Sequence, residues 1–151
     1  PGTAGQGDIT AIFSVLVAGS DMEGPVADVM RGVLDGHVVL SREIAERGRY
    51  PAIDVLASVS RALPNAATKD ELALIARARQ LLGAYDRAEL MLQSGLYSPG
   101  SDPTTDAAVD SWEDLDAFVA SSSEEGFDAS FARLAQIVNR DSASGSAPSP
   151  A

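Results

Sequence analysis

The spacing of apolar residues changes close to residue 65, and this change constrains the fold more than any other feature. Before it, apolar residues form two short runs rich in β-branched side chains, at 9–18 and 37–40. After it, they recur every three or four residues over three long stretches. Short apolar runs are typical of buried strands, and the longer spacing is typical of amphipathic helices. The sequence therefore predicts an α/β part at 1–65 followed by a helical part at 66–140.

The first part is predicted to have the order strand, helix, strand. The run at 9–18 is nearly all apolar and has no helix caps, which favours a strand buried on both faces. Pro25 suits the first turn of a helix, and Ser41 is a candidate cap for a short helix that follows the second strand. Pro51 disfavours helix at the residue before it, so the following residues are expected to be extended or irregular. This order fits the edge of an α/β sheet.

Three helices are predicted in the second part. Thr68 and Glu71 have the spacing of a capping box at the start of a long helix, in which Gly83 is expected to cause a kink or break. Two further helices are expected at 106–120 and 127–138. The predicted buried faces carry the larger apolar residues, which are Leu72, Ile75, Leu82, Tyr85, Leu90 and Met91, then Val109, Trp112, Leu115, Phe118 and Val119, then Phe127, Phe131, Leu134, Ile137 and Val138.

Charge and composition exclude several classes of function. The formal net charge is −11, and residues 101–151 carry ten acidic and two basic side chains. An acidic surface of this kind argues against binding nucleic-acid phosphates or anionic lipid. The chain has no cysteine, so disulfides and thiolate metal sites are excluded. The chain starts with a loop-like run without Met, as expected for a piece of a longer protein, and 141–151 is expected to be a disordered tail.

The residues alone offer no complete active site. The single lysine, Lys69, follows no glycine-rich loop, so the 151 residues contain no Walker A motif. His37 is the only histidine and lies in an apolar run, where a core histidine is the expected reading, so no metal site is predicted. Arg61 ends the segment Ser-Val-Ser-Arg at 58–61, and on composition alone it is expected to be a surface ion-pair partner.

Three blocks of sequence, at 7–17, 34–42 and 46–61, resemble one family at matching spacing. A weaker likeness continues through 95–103 and 112–118. The blocks are similar to the flagellar and type III secretion protein-export ATPases, which are relatives of the catalytic subunits of rotary ATP synthases. The resemblance implies the last strands of a RecA-like nucleotide-binding domain at 1–65 and a C-terminal helical domain at 66–140.

The resemblance also implies roles for particular residues. Arg61 would be an arginine finger that reaches the γ-phosphate of ATP held by a neighbouring subunit, and Tyr50 would pack on the adenine in its own subunit. The loop carrying Asp21, Met22 and Glu23 would face a stalk protein in a central pore. One chain carrying both finger and adenine platform implies a homo-oligomer, and the resemblance implies that it is a hexamer.

The cofactors that the resemblance implies are ATP and Mg²⁺, with their main binding residues upstream, so the 151 residues alone are expected to be inactive. The implied partners are the stalk protein, chaperone–substrate complexes and the export apparatus, with a cytoplasmic location at the inner-membrane export gate. Two alternatives remain open: a non-enzymatic acidic helical module that docks chaperones or a stalk protein, and a rotary synthase subunit.

Overall fold

The computed structural model describes Gly5, Gly7, 9–17 and 24–140. Two compact units divide the chain, one ending at Leu34 and the other beginning at Asp35. The predicted tail at 141–151 and the loop residues Asp21, Met22 and Glu23 lie outside the described residues.

The first unit contains one helix among its described residues. This helix, α1, spans Pro25–Val33 and begins with the proline that predicted it. Residues 9–17 form no strand, and the side chains of Ile9, Ile12 and Leu16 are exposed. The prediction of a strand buried on both faces is therefore wrong for this structure. Such a strand needs partners for its backbone groups on both edges, and among the described residues the only paired strands lie elsewhere.

The second unit opens with two antiparallel strands, β1 (Gly36–Leu40) and β2 (Ile53–Ser60), joined through the short helix α2 (Arg42–Glu46). Ser41 caps α2 as predicted, since its Oγ accepts from the backbone N–H of Ile44 at 3.4 Å. A Cβ at Gly36 would lie 2.7 Å from the carbonyl oxygen of Val59, so only glycine allows the strands to approach here.

Three long helices follow the short helix α3 (Leu63–Ala66): α4 (Lys69–Gln93), α5 (Pro103–Ala120) and α6 (Phe127–Val138). The predicted capping box is present, because Thr68 Oγ1 accepts from the N–H of Glu71 at 3.3 Å and the Glu71 carboxylate accepts from the N–H of Thr68 at 2.6 Å. The three helices share one core, formed by Ala78, Leu81, Ala84, Ala107, Ala108, Leu115, Leu134, Ile137 and Val138.

The predicted buried faces are only partly right. Leu115, Leu134, Ile137 and Val138 are buried, but several large apolar residues are exposed, among them Leu90 at 77%, Met91, Val109 and Phe127 at 85%. Alanines occupy much of the core face of α4 and α5 instead. Small side chains let helix backbones approach closely. The prediction considered only the larger apolar residues and therefore did not include these alanines. The helix α4 also continues without a break through Gly83.

Candidate functional site

Tyr50 lies in the turn between α2 and β2, with its side chain 65% exposed. The peptide bond between Tyr50 and Pro51 is cis. The neighbouring Arg49 holds this turn, because its guanidinium donates to the carbonyl oxygens of Pro51 at 3.1 Å and Ile53 at 2.9 Å. The Nε of Arg49 also lies 2.9 Å from Oδ1 of Asp116 on α5, and the arginine side chain is only 10% exposed. The turn therefore presents the Tyr50 ring from a fixed backbone.

Arg61 lies directly after the other end of β2. It is exposed, and its backbone N–H donates to the carbonyl oxygen of Asp35 at 2.8 Å. Ile53 and Ser60, the two ends of β2, pair with Leu40 and Gly36, the two ends of the five-residue strand β1. Five extended residues span on the order of 13 Å, so Tyr50 and Arg61 lie at opposite ends of the strand pair.

The strand pairing shifts between the two ends of β2. His37 pairs with Val59 and Val39 pairs with Asp54, so β2 carries extra residues between these two pairs. The bulge, defined here as residues 54–58, is closed from within by two side chains. Oδ1 of Asp54 accepts from the N–H groups of Leu56 and Ala57, each at 2.9 Å. Ser58 Oγ donates to the Asp54 carbonyl at 2.5 Å and accepts from the N–H of Val39 at 3.0 Å.

The bulge is also held from outside by Arg79 on α4. Its Nη1 donates to the carbonyl oxygens of Val55 at 2.5 Å and Ser58 at 3.3 Å, and its Nη2 donates to that of Leu56 at 2.9 Å. One side chain of the helical part thus contacts three backbone carbonyls just before Arg61. Sequence reasoning missed both Arg79 and Arg49, because neither residue belongs to a local motif.

A stacked aromatic pair joins α4 and α5. The rings of Tyr85 and Trp112 lie 4.0 Å apart between centroids and are nearly parallel at 3°. The guanidinium carbon of Arg47 lies 5.7 Å from the centroid of the Trp112 ring. Burial raises the pKa of Tyr85, and the Glu89 carboxylate raises this pKa further, so the phenol stays neutral at physiological pH. A cavity of about 400 Å³ lies beside the pair, and neither Tyr50 nor Arg61 lines it.

Across the described part of the chain, the His, Asp and Glu side chains form no group of three that could hold a metal ion. Among the same residues, no helix combines the length and the apolar character that crossing a bilayer requires.

Two family models match the chain in succession. Residues 2–60 match the nucleotide-binding domain of the ATP synthase alpha/beta family, and residues 67–136 match the C-terminal domain of the type III secretion ATPase EscN. The boundary between the matches falls in the segment that contains α3.

Curated relatives of this chain include type III secretion ATPases and flagellum-specific ATP synthases. The chain is 49% identical over 118 residues to the "Type 3 secretion system ATPase" of Pseudomonas syringae pv. tomato, covering 78% of this chain and 26% of the relative. It is 44% identical over 135 residues to the "Flagellum-specific ATP synthase" of Caulobacter vibrioides, covering 88% of this chain and 30% of the relative.

Solved structures agree with the sequence relatives. The assembled ATPase EscN of the enteropathogenic E. coli type III secretion system matches with a TM-score of 0.82 and 34% identity, over 88% of this chain and 33% of that one. EscN in complex with its central stalk EscO matches with a TM-score of 0.69 and 34% identity, over 76% of this chain and 29% of that one.

Together, these matches define the class of protein: a RecA-like nucleotide-binding domain, represented by its last strands, followed by a C-terminal helical domain. The chain belongs to the family of flagellar and type III secretion protein-export ATPases. It spans 26–30% of the length of the two curated relatives described above.

Proposed function

We propose that this chain is part of a homohexameric ATPase that hydrolyses ATP to energise flagellar or type III protein export. The observation that carries the proposal is the placement of Arg61, exposed at the end of β2 on a backbone that Asp35 anchors. The names of the relatives support the same activity, since both are ATP-using enzymes of export or flagellar systems.

Arg61 acts as an arginine finger on ATP bound by the neighbouring subunit. A guanidinium keeps its charge at any physiological pH and forks onto two phosphate oxygens, which suits the charge that spreads over the transferred phosphoryl group. Arg61 is exposed, as a residue that crosses a subunit boundary must be.

Tyr50 packs its ring on the adenine of the nucleotide in its own subunit. The ring is 65% exposed and offers a flat apolar face. Because Tyr50 and Arg61 lie at opposite ends of β2, they contact two different nucleotides: Tyr50 the one in its own subunit and Arg61 the one in the neighbour. Each subunit then contributes to two sites, as expected in a ring of identical subunits.

The proposed cofactors are ATP, as the substrate, and Mg²⁺. Mg²⁺ would neutralise charge on the phosphates. The described residues contain no cluster that could hold it, so none of them is assigned to the metal. The Walker A loop is also absent from the 151 residues, and the proposal assigns phosphate binding to residues upstream of them.

The partners follow from what is known of EscN, which is described in an assembled form and in complex with its central stalk EscO. We assign a comparable stalk contact to the loop that carries Asp21, Met22 and Glu23. The helical part, 66–140, is assigned to docking chaperone–substrate complexes, with the ring in the cytoplasm at the inner-membrane export gate. The proposed domain boundary at 65–66 lies between the two family matches.

The test is Arg61→Ala in the full-length enzyme. Turnover should fall roughly 10³-fold or more, the usual scale for an arginine finger. Nucleotide affinity should fall much less, because the residue acts mainly on charge that develops in the transition state. Arg61→Lys should not restore turnover, since an ammonium group cannot fork across two oxygens. Steady-state kinetics and equilibrium nucleotide binding measure the two quantities separately.

Arg42→Ala is the matched control. Arg42 is an exposed arginine of the same unit, and it forms an ion pair with Glu46 within α2 at 2.8 Å. The Arg42→Ala substitution should leave turnover close to that of the parent enzyme. Equal turnover in Arg61→Ala and Arg42→Ala would refute the assignment of Arg61 as the arginine finger.

A further inference from the structure

The guanidinium of Arg79 on α4 donates to three backbone carbonyls of β2. We infer that Arg79 is a positioning residue for the arginine finger: it sets the place of Arg61 by fixing the bulge that precedes it. This inference rests on the proposed function of Arg61. Arg79 acts through the backbone and does not itself contact the nucleotide in this proposal.

The bulge needs such a clamp because its carbonyl groups fall where the strand pairing is interrupted. Between the pairs His37–Val59 and Val39–Asp54, β2 has more residues than β1 can match. Inside the bulge, the Asp54 carboxylate accepts from two N–H groups, and the Ser58 hydroxyl donates to one carbonyl oxygen. The carbonyls of Val55, Leu56 and Ser58 are directed to Arg79 instead.

Arginine suits this position for a geometric reason. Its planar guanidinium carries five donors in a fixed fork, so one side chain can bind several carbonyls at once, and a charged donor strengthens each bond. A lysine would supply one point of attachment and would leave the remaining carbonyls without this partner.

The path from the clamp to the finger is short. Ser58, which Arg79 contacts, lies three residues before Arg61. Beyond the bulge, the backbone is fixed again where the N–H of Arg61 binds Asp35. Without Arg79, the bulge loses these hydrogen bonds to α4, and the position of the finger then rests on the Asp35 contact and the pairing of Val59 and Ser60 with β1. A displacement of about 1 Å at a catalytic group can reduce a rate on the order of 10²-fold.

The contact also gives α4 a function beyond packing. Because Arg79 belongs to the helical part and Arg61 follows the last strand of the α/β part, a shift of α4 along its axis would pull on the bulge. The helical part is thereby linked mechanically to hydrolysis in the neighbouring subunit.

The test compares Arg79→Ala, Arg79→Lys and the parent in the full-length enzyme. Arg79→Ala should lower kcat roughly 10-fold to 100-fold while KM for ATP changes less than about 3-fold, because positioning of the finger affects the transition state more than ground-state binding. The kcat of Arg79→Lys should lie between that of Arg79→Ala and that of the parent. Arg77→Gln is the control, since Arg77 lies two residues away on α4 and bonds to the exposed Gln80.

A double variant separates positioning from a purely structural role. If Arg79 works through Arg61, adding Arg79→Ala to Arg61→Ala should cause no further loss of kcat. A further loss comparable to that of the single variant would overturn the inference, and so would kcat values of Arg79→Ala and Arg79→Lys equal to that of Arg77→Gln. If Arg79→Ala does not fold, the same comparison of kcat is made with Arg79→Lys, alone and combined with Arg61→Ala. High turnover in Arg61→Ala itself would instead refute the proposed finger role on which this inference rests, so the two failures are distinguishable.

Discussion

At the scale of single residues, arginine serves two different purposes in this chain. Arg49 and Arg79 direct their guanidinium groups onto backbone carbonyls, Arg49 at the start of β2 and Arg79 at its bulge. Arg61 is exposed beyond the same strand. Arg49 and Arg79 use the number and geometry of the donors, whereas the proposed role of Arg61 uses the charge.

The roles of Tyr50 and Arg61 were proposed from a resemblance. Both residues are exposed and flank β2, where composition alone predicted a surface ion-pair partner at Arg61 and an extended or irregular segment at Tyr50. Arg79 could not be found this way. Its partners lie 21 to 24 residues earlier in the chain, and only the folded position of α4 brings them together. A contact of that range has no local sequence signal.

Asp102 offers a pH test at the residue scale. It caps α5, and its carboxylate accepts from the Thr105 hydroxyl at 2.5 Å and from the N–H groups of Thr104 and Thr105. The hydrogen bond from the Thr105 side chain, followed by the one from the Thr104 backbone, lowers the pKa of Asp102. A depressed folded-state pKa contributes stability above the ordinary carboxyl pKa of about 3.9, and this contribution is lost as the pH falls through the folded-state pKa.

Asp102→Asn keeps a capping acceptor but removes the titrating charge. The parent should therefore be more stable than the variant at neutral pH, and the difference should shrink as the pH is lowered below about 4. Thermal denaturation at a series of pH values measures it. A difference that stays constant down to acid pH would show that the charge of Asp102 does not contribute.

At the scale of elements, local chemistry predicted helix starts well. Pro25, Ser41 and Thr68 each marked the beginning of a helix that the structure contains. Caps involve residues within one turn, so the sequence carries the whole signal. The segment 9–17 shows the opposite case, because a strand depends on partners that its own residues do not specify.

The uninterrupted course of α4 gives a prediction at this scale. Gly83 lies inside the helix, and a Cβ there would meet only Arg87 Nη1, at an ordinary contact distance of 3.5 Å. Gly83→Ala should therefore raise the free energy of unfolding by about 0.5–1 kcal/mol, by removing backbone freedom from the unfolded chain. Chemical denaturation measures the change.

Gly95 is the matched control for this prediction. It follows the C-cap of α4 with φ of +68°, a conformation that residues with a Cβ rarely adopt. Gly95→Ala should destabilise the protein, since the substitution strains the helix end. Destabilisation by Gly83→Ala as well would mean that α4 is bent or broken at this point.

At the scale of the whole molecule, the change in hydrophobic spacing near residue 65 falls between the two family matches, whereas the compact units of the structure divide between Leu34 and Asp35. The core of the helical part was predicted less well, because alanines such as Ala84 and Ala108 fill the space between helices and large residues such as Leu90 remain exposed. Packing between helices depends on their mutual distance, which periodicity within one helix does not encode.

The central claim concerns the assembled ring: Arg61 acts on nucleotide held by another subunit. Mixed rings test it most directly. One subunit carries Arg61→Ala with an intact phosphate-binding loop, and the other keeps Arg61 but has its phosphate-loop lysine replaced. At equal mixing, about one interface in four of a closed ring pairs an intact loop with an intact finger from its neighbour.

ATPase activity of the mixed rings, compared with each pure variant, is the deciding measurement. Action in trans predicts that mixing restores activity that neither variant shows alone, because the mixed interfaces contain every required group. Action in cis predicts no restoration, since no single subunit then has both parts. Absence of any regained activity, in rings shown to contain both subunits, would contradict the assignment of Arg61.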